Sequence, residues 1–240
     1  MSRSSKVKIF PWIPLFAGIV GGVLQYWQLS QVDKQGLLPQ NHISQILSYV
    51  LLAIVVIVCW FGVQNLAPAK TYRELFPPSK IAAIGGLIGA AGLGGAAFFL
   101  PAVGILRYVI LVCGLLGAGA LVVISCCRFE GGQPNSLLRS MVIVYLIFRT
   151  IGACQIWSAK PQWQLYVFPL LASLFLMLAC YYRAVLDLQV GNSRRYLFFC
   201  QVALFCCCLS VPGEDWLFYL SAGIWLATDF CTPPSCGKYA

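Results

Sequence analysis

From Phe10 to Phe230 the chain is a succession of apolar stretches, each closed by a short polar or Gly/Pro-rich break such as Pro77-Pro78, Pro101, Gly131-Gly132, Pro161 or Pro212-Gly213. A helix rises 1.5 Å per residue, so about twenty apolar residues cross a hydrocarbon core of about 30 Å. The stretches are Phe10 to Leu29, Ile43 to Val63, Lys80 to Leu100, Val103 to Cys127, Ser136 to Trp157, Gln164 to Leu188, Arg195 to Val211 and Glu214 to Phe230. Their apolar runs are unbroken and do not alternate with period two, which excludes a membrane β-barrel and leaves helices as the way to satisfy the backbone. The predicted fold class is all-α: a polytopic transmembrane bundle of eight helices, forming a single domain over residues 1–240 with no separate soluble domain. The last two stretches are only about 25 Å long as helices, so a re-entrant hairpin is the alternative there, leaving six full crossings.

Composition agrees, with 60% hydrophobic and 10% charged residues, where soluble proteins carry about a quarter charged. The net charge of +9 sits in short loops rather than in one patch, which argues for anionic lipid as the partner and against nucleic acid. The start, Met1 to Lys8 before an apolar run, has the charge of a signal peptide. Gln25, Tyr26 and Trp27 stand where a cleavage site would need small residues, so an uncleaved first helix is expected.

Lys and Arg in short loops set orientation. With the N-terminus inside, the cytoplasmic side holds Arg3, Lys6, Lys8, Lys70, Arg73, Lys80, Arg128, Arg139, Arg183, Arg194, Arg195 and Lys238, and the outer side Lys34, Arg107 and Lys160. Trp27, Trp157, Trp163 and Trp216 fall at outer ends and Trp12, Trp60, Tyr181, Tyr182 and Tyr196 at inner ends, as interfacial aromatics should. Both termini are therefore expected in the cytoplasm of a bacterial inner (plasma) membrane protein.

Ala82 to Ala97 is built almost entirely of Gly and Ala, with Gly85 and Gly89 at GxxxG spacing. Small residues let helix backbones approach, so tight packing is the first reading and a glycine-softened, movable helix the second. Gly92-Leu93-Gly94-Gly95-Ala96-Ala97 matches a dinucleotide-binding turn only in letters, since that motif needs a strand before it and a solvent crevice.

Chemistry-bearing residues are few. Arg149 lies ten positions from Arg139 and eight from Trp157, hence near the bilayer midplane, where an arginine costs about 2.5–3.5 kcal/mol unless paired. Tyr145, Gly152 and Ala153 share its face. Counting depth along the last helix makes Asp229 the expected partner, with Asp187 and Glu130 nearer the inner surface and Glu214 and Asp215 at the outer one. A clamp to Asp229 or to carbonyls is one reading of Arg149; an anion-binding site for a carboxylate or phosphate is the other. Tyr145, Gln201 and Asp229 complete the candidate ligand-binding set. His42 is the sole histidine, and HExxH, GxSxG and GxxxxGK[ST] motifs are lacking, so no catalytic residue, metal or cofactor is expected. Most cysteines lie in apolar runs, where a thiol is a small hydrophobe, and Cys231 with Cys236 makes a poor zinc pair.

Tyr166-Val167-Phe168-Pro169-Leu170-Leu171-Ala172, leading to Tyr181-Tyr182-Arg183-Ala184, resembles small bacterial multi-pass membrane proteins. Eight helices in this length are also similar in layout to the lysoplasmalogenase-type membrane hydrolases. That resemblance implies a membrane-embedded lipid enzyme but is carried by no motif. The leading expectation is a non-enzymatic membrane subunit that binds or transports a small solute or lipid. The alternative is a scaffold or accessory subunit held to a membrane protein partner.

Overall fold

The computed structural model describes residues 12–31, 43–64, 76–100, 102, 104–160, 163–188, 190 and 192–231. Within them are eight α-helices: α1 (Trp12–Ser30), α2 (Ile43–Gln64), α3 (Lys80–Phe99), α4 (Ile105–Glu130), α5 (Ser136–Ser158), α6 (Val167–Asp187), α7 (Ser193–Ser210) and α8 (Trp216–Cys231), with a 3-10 turn at Trp163–Tyr166 before α6. All eight predicted stretches are present. Five of these helices, α2 to α6, are long and apolar enough to cross a membrane by length and composition.

Local chemistry sets the boundaries. Ser79, Asn135 and Asn192 cap α3, α5 and α7, their side-chain oxygens accepting from the amides of Ala82, Leu137 and Arg194, which satisfies donors that a helix start leaves open. Gly131, at φ +76°, ends α4 in the left-handed conformation that favours glycine. Helix α4 thus runs one turn past the predicted Cys127 and carries Arg128 inside it.

Helices α3 to α8 form a ring in chain order, each packed on the next, and α8 closes it against α3. Helix α1 packs on α7 and α2, and α2 also reaches α7. Helix α7, touched by α1, α2, α6 and α8, is buried without interruption from Cys200 to Cys207, as a helix apolar on every side should be.

The outer faces are greasy: Phe16, Ile46, Ile54, Phe61, Ile84 and Leu116 are among many large apolar side chains left exposed. A water-soluble protein rarely exposes contiguous apolar surface beyond a few hundred Å², whereas a bilayer rewards it. This is a multi-pass membrane protein.

The small residues of α3 serve packing. A Cβ built on Gly89 would stand 2.7 Å from Trp225 Cβ of α8, so α3 and α8 meet at a separation that only glycine allows. The Gly92–Ala97 string lies wholly within α3 and has no preceding strand.

The two ends of the bundle are marked by polar contacts. Asp229, late in α8, meets Arg128 and Arg183, late in α4 and α6; Glu214, just before α8, meets Lys160, just after α5. Helix α8 therefore runs from one end of the bundle to the other in 16 residues, packed on α7. His42, Cys236 and the basic residues Arg3, Lys6, Lys8, Lys34, Lys70, Arg73 and Lys238 lie outside the described residues. Ten described cysteines are free.

Candidate functional site

At the Asp229 end, charged groups enter the bundle rather than lining its rim. Arg139 Nε donates to Asp187 Oδ2, and Gln133 Nε2 donates to the Asp187 carbonyl. Arg183 Nη1 donates to Asp229 Oδ2 at 3.0 Å and to the Tyr196 hydroxyl at 3.1 Å. Tyr196 donates onward to Asp229 Oδ2 at 3.1 Å. Arg128 Nε lies 3.7 Å from Asp229 Oδ1, and the Phe76 ring covers the guanidinium groups of Arg128 and Arg183. The three arginines are each no more than 5% exposed. Their network joins α4, α5, α6, α7 and α8, and such shared, desolvated pairs lock a bundle in register because removing one partner strands a buried charge.

Arg149 lies at neither Asp229 nor the lipid. Its Nη1 donates to the Ala96 carbonyl of α3 at 3.2 Å, its Nη2 lies 3.4 Å from Asp215 Oδ1, and its guanidinium stacks over Phe218 with 4.0 Å to the ring centroid. Tyr145, one turn away, donates to the Leu93 carbonyl at 2.8 Å. Of the two clamps expected for Arg149, the one to a backbone carbonyl forms, at Ala96, whereas the pairing with Asp229 is corrected to Asp215. Depth along a helix places the arginine Cα, but its flexible stem carries the charge toward the Asp215 end, while Asp229 is held by Arg128 and Arg183. Arg149 and Tyr145, one turn apart on α5, both donate to backbone carbonyls of α3. Asp229 belongs to the network at the other end. Gln201 is fully buried in α7, its amide without a hydrogen-bond partner, Arg149 included, among the described residues.

Asp215 is the link between that clamp and a cavity. Beside it lies a space of about 320 Å³ lined by Gln25 and Leu29 of α1, Trp157 of α5, Leu165, Tyr166 and Pro169 before and at the start of α6, and Ser210, Pro212, Gly213, Glu214, Asp215 and Tyr219 around the α7–α8 turn. Trp157 and Tyr166 stack at 5.3 Å between centroids. Tyr219 OH donates to the Pro169 carbonyl at 3.1 Å, and Ser210 Oγ to the Cys206 carbonyl at 2.8 Å. Gln25 is 3% exposed, and its Oε1 has no hydrogen-bond partner among the described residues. Glu214 pairs with Lys160, whose ammonium is held above the usual lysine range: burial pulls it down, and the hydrogen bonds and charges of Glu214 and Tyr166 more than offset that. The Lys160–Glu214 pair is largely exposed and adds little to stability.

Sequence reasoning missed two things here. Arg128, Arg139 and Arg183 count as loop charges in a topology reading; the available signal was Arg183 and Asp187 at i,i+4 on one helix face, and arginine in place of lysine at positions that turned out to be buried. The cavity was the second; the signal for it was Gln25, one of two amides, with Gln28, in an otherwise apolar first helix. No protein-family model, curated protein or solved structure matches the chain.

Proposed function

We propose that this membrane protein binds a small solute or lipid in the cavity at the Asp215 end, and that this end faces the outside. The observation that carries the reading is the cavity itself: a concave, partly polar space of ligand size, set where helices α1, α5, α6, α7 and α8 converge and backed by the pairing of buried Arg149 with half-buried Asp215. Pockets between helices of a bundle, with few polar groups among apolar walls, are where ligands bind. Within this reading Arg149 is a positioning residue. It touches Asp215 and a backbone carbonyl and does not line the cavity, so it fixes the carboxylate that does. The arginine–aspartate network at the other end is the static lock against which the cavity end can open. Sidedness is supported by the basic residues at the Asp229 end, where Lys80, Arg194 and Arg195 lie at helix starts beside the buried Arg128, Arg139 and Arg183.

The test is native mass spectrometry of the protein released gently from its own membranes. Wild type is expected to retain a discrete extra mass, and Leu165→Trp, which fills the cavity from the short turn before α6, is expected to lose it while eluting as the same monodisperse species. Retention of the same mass by a folded Leu165→Trp variant, or a wild type that carries nothing, would contradict the reading.

A further inference from the structure

We infer that the ligand is an amphiphile with an ammonium head, the head seated in the cavity and the hydrocarbon chain in an adjoining groove between α1, α7 and α8. The inference rests on the cavity reading above and names what fills it.

The head follows from what the cavity wall offers. Its polar groups are the carboxylates of Glu214 and Asp215, the amide of Gln25, the indole N–H of Trp157, and the hydroxyls of Tyr166, Ser210 and Tyr219; among the described residues no Lys, Arg or His lines it. The hydroxyls of Ser210 and Tyr219 have already given their protons to the Cys206 and Pro169 carbonyls, so what they present is lone pairs. Gln25 Oε1 is an acceptor without a donor among the described residues, on a side chain 97% buried by its 3% exposure. The only formal charges on this wall are the two carboxylates, and although the Trp157 indole, the Gln25 amide nitrogen and the Tyr166 hydroxyl can donate, a phosphate or carboxylate would face like charge. A group with several N–H donors and a positive charge satisfies it. The Tyr166 ring already holds a cation, the Lys160 ammonium at 5.0 Å from its centroid, a place that a ligand ammonium displacing Lys160 would take over. Arg149 balances Asp215 from behind at 3.4 Å, while the exposed Glu214–Lys160 pair is weak enough to be exchanged for a ligand ammonium.

The chain follows from continuity. Pro212 and Tyr219 line the cavity and also a second space of about 470 Å³, whose other walls include Ile19 and Val23 of α1, Cys208 of α7, and Leu220 and Ile224 of α8. Helices α1 and α8 both pack on α7 and leave this channel between them, with Gly22 and Gly223 among its lining residues. It extends along α8 from Tyr219 to Ala227, eight residues or about 12 Å of helix, on the membrane-facing side of the bundle. A free amine fills only the cavity. A hydrocarbon chain attached to it fills both spaces.

The experiment measures saturable thermal stabilisation of the protein in phosphatidylcholine nanodiscs by three probes. Tetradecylamine carries head and chain, butylamine the head alone, and myristate the chain with the opposite charge. Tetradecylamine is expected to bind at least tenfold more tightly than either of the others. Glu214→Gln is expected to weaken it about tenfold, and Gly223→Leu, which narrows the groove, to weaken tetradecylamine and leave butylamine unchanged. If Gly223→Leu does not fold, Val23→Trp serves in its place. Equal binding of butylamine and tetradecylamine would overturn the groove, and equal binding of myristate would overturn the ammonium head. Stabilisation unchanged by both variants would mark simple partition into the bilayer and overturn the proposal. A cavity ligand found by native mass spectrometry with no response to tetradecylamine would overturn this inference alone and leave the cavity reading standing.

Discussion

Asp229 shows what a buried carboxylate does in this bundle. It accepts from Arg183 and Tyr196 and faces Arg128, so Asp229→Asn leaves desolvated guanidinium groups without their counter-charge. The expected loss is about 3–5 kcal/mol of stability, read by denaturant titration in detergent. A double-mutant cycle with Arg183→Met should give a coupling of about 1–3 kcal/mol, whereas a cycle with Arg149→Met should be additive within about 0.5 kcal/mol. Strong coupling between positions 149 and 229 would restore the pairing that depth along the helices suggests. The position of Arg149 as a costly, paired residue is legible in the sequence, because few charges interrupt the fifth apolar stretch. Its partner is not, because a helix register gives the depth of a Cα and leaves the reach of a six-atom side chain open. Arg128, Arg139 and Arg183 were hidden for a related reason: a basic residue near a helix end satisfies a topology rule whether it points to water or into the bundle.

Among the elements, α3 is the most sharply specified. Gly89 and Gly95 share the helix but not the environment. A Cβ at Gly89 would stand 2.7 Å from Trp225 Cβ, while one at Gly95 meets only Leu217 Cδ2 at 3.7 Å, an ordinary contact. Gly89→Ala is expected to cost about 1–3 kcal/mol through overpacking against α8. Gly95→Ala is expected to be neutral or to stabilise by up to about 1 kcal/mol through helix propensity. The same unfolding titration separates them, and equal effects would mean that α3 bends or sits apart from α8. That α3 packs tightly is readable from its composition. That its tightest neighbour is α8, not only α4 beside it in sequence, is not, since GxxxG spacing names a face without naming what meets it. Helix ends were legible to within a few residues because Asn135, Asn192 and Gly131 are strong local signals, and α4 overran its predicted end because no stop signal comes before Gly131.

At the scale of the molecule, the number of helices was readable from apolar length and their closure into a ring was not. The contact of α8 with α3 joins segments more than a hundred residues apart, and nothing local encodes it. The shortness of α7 and α8 made a hairpin plausible from sequence; in the structure α7 is central, and helices buried among other helices need no full-length lipid-facing stretch. The ring places the buried arginine network at one end and the acceptor-lined cavity at the other, so binding depends on which end meets the outside. The most direct measurement places single cysteines at Leu165, on the cavity wall, and at Glu130, by the arginine network, with Cys126, Cys127, Cys231 and Cys236 replaced by Ser. Intact cells are then treated with a membrane-impermeant maleimide. The account predicts labelling of Leu165→Cys from outside and of Glu130→Cys only after the cells are opened; labelling of Glu130→Cys in intact cells, with Leu165→Cys protected, would contradict it.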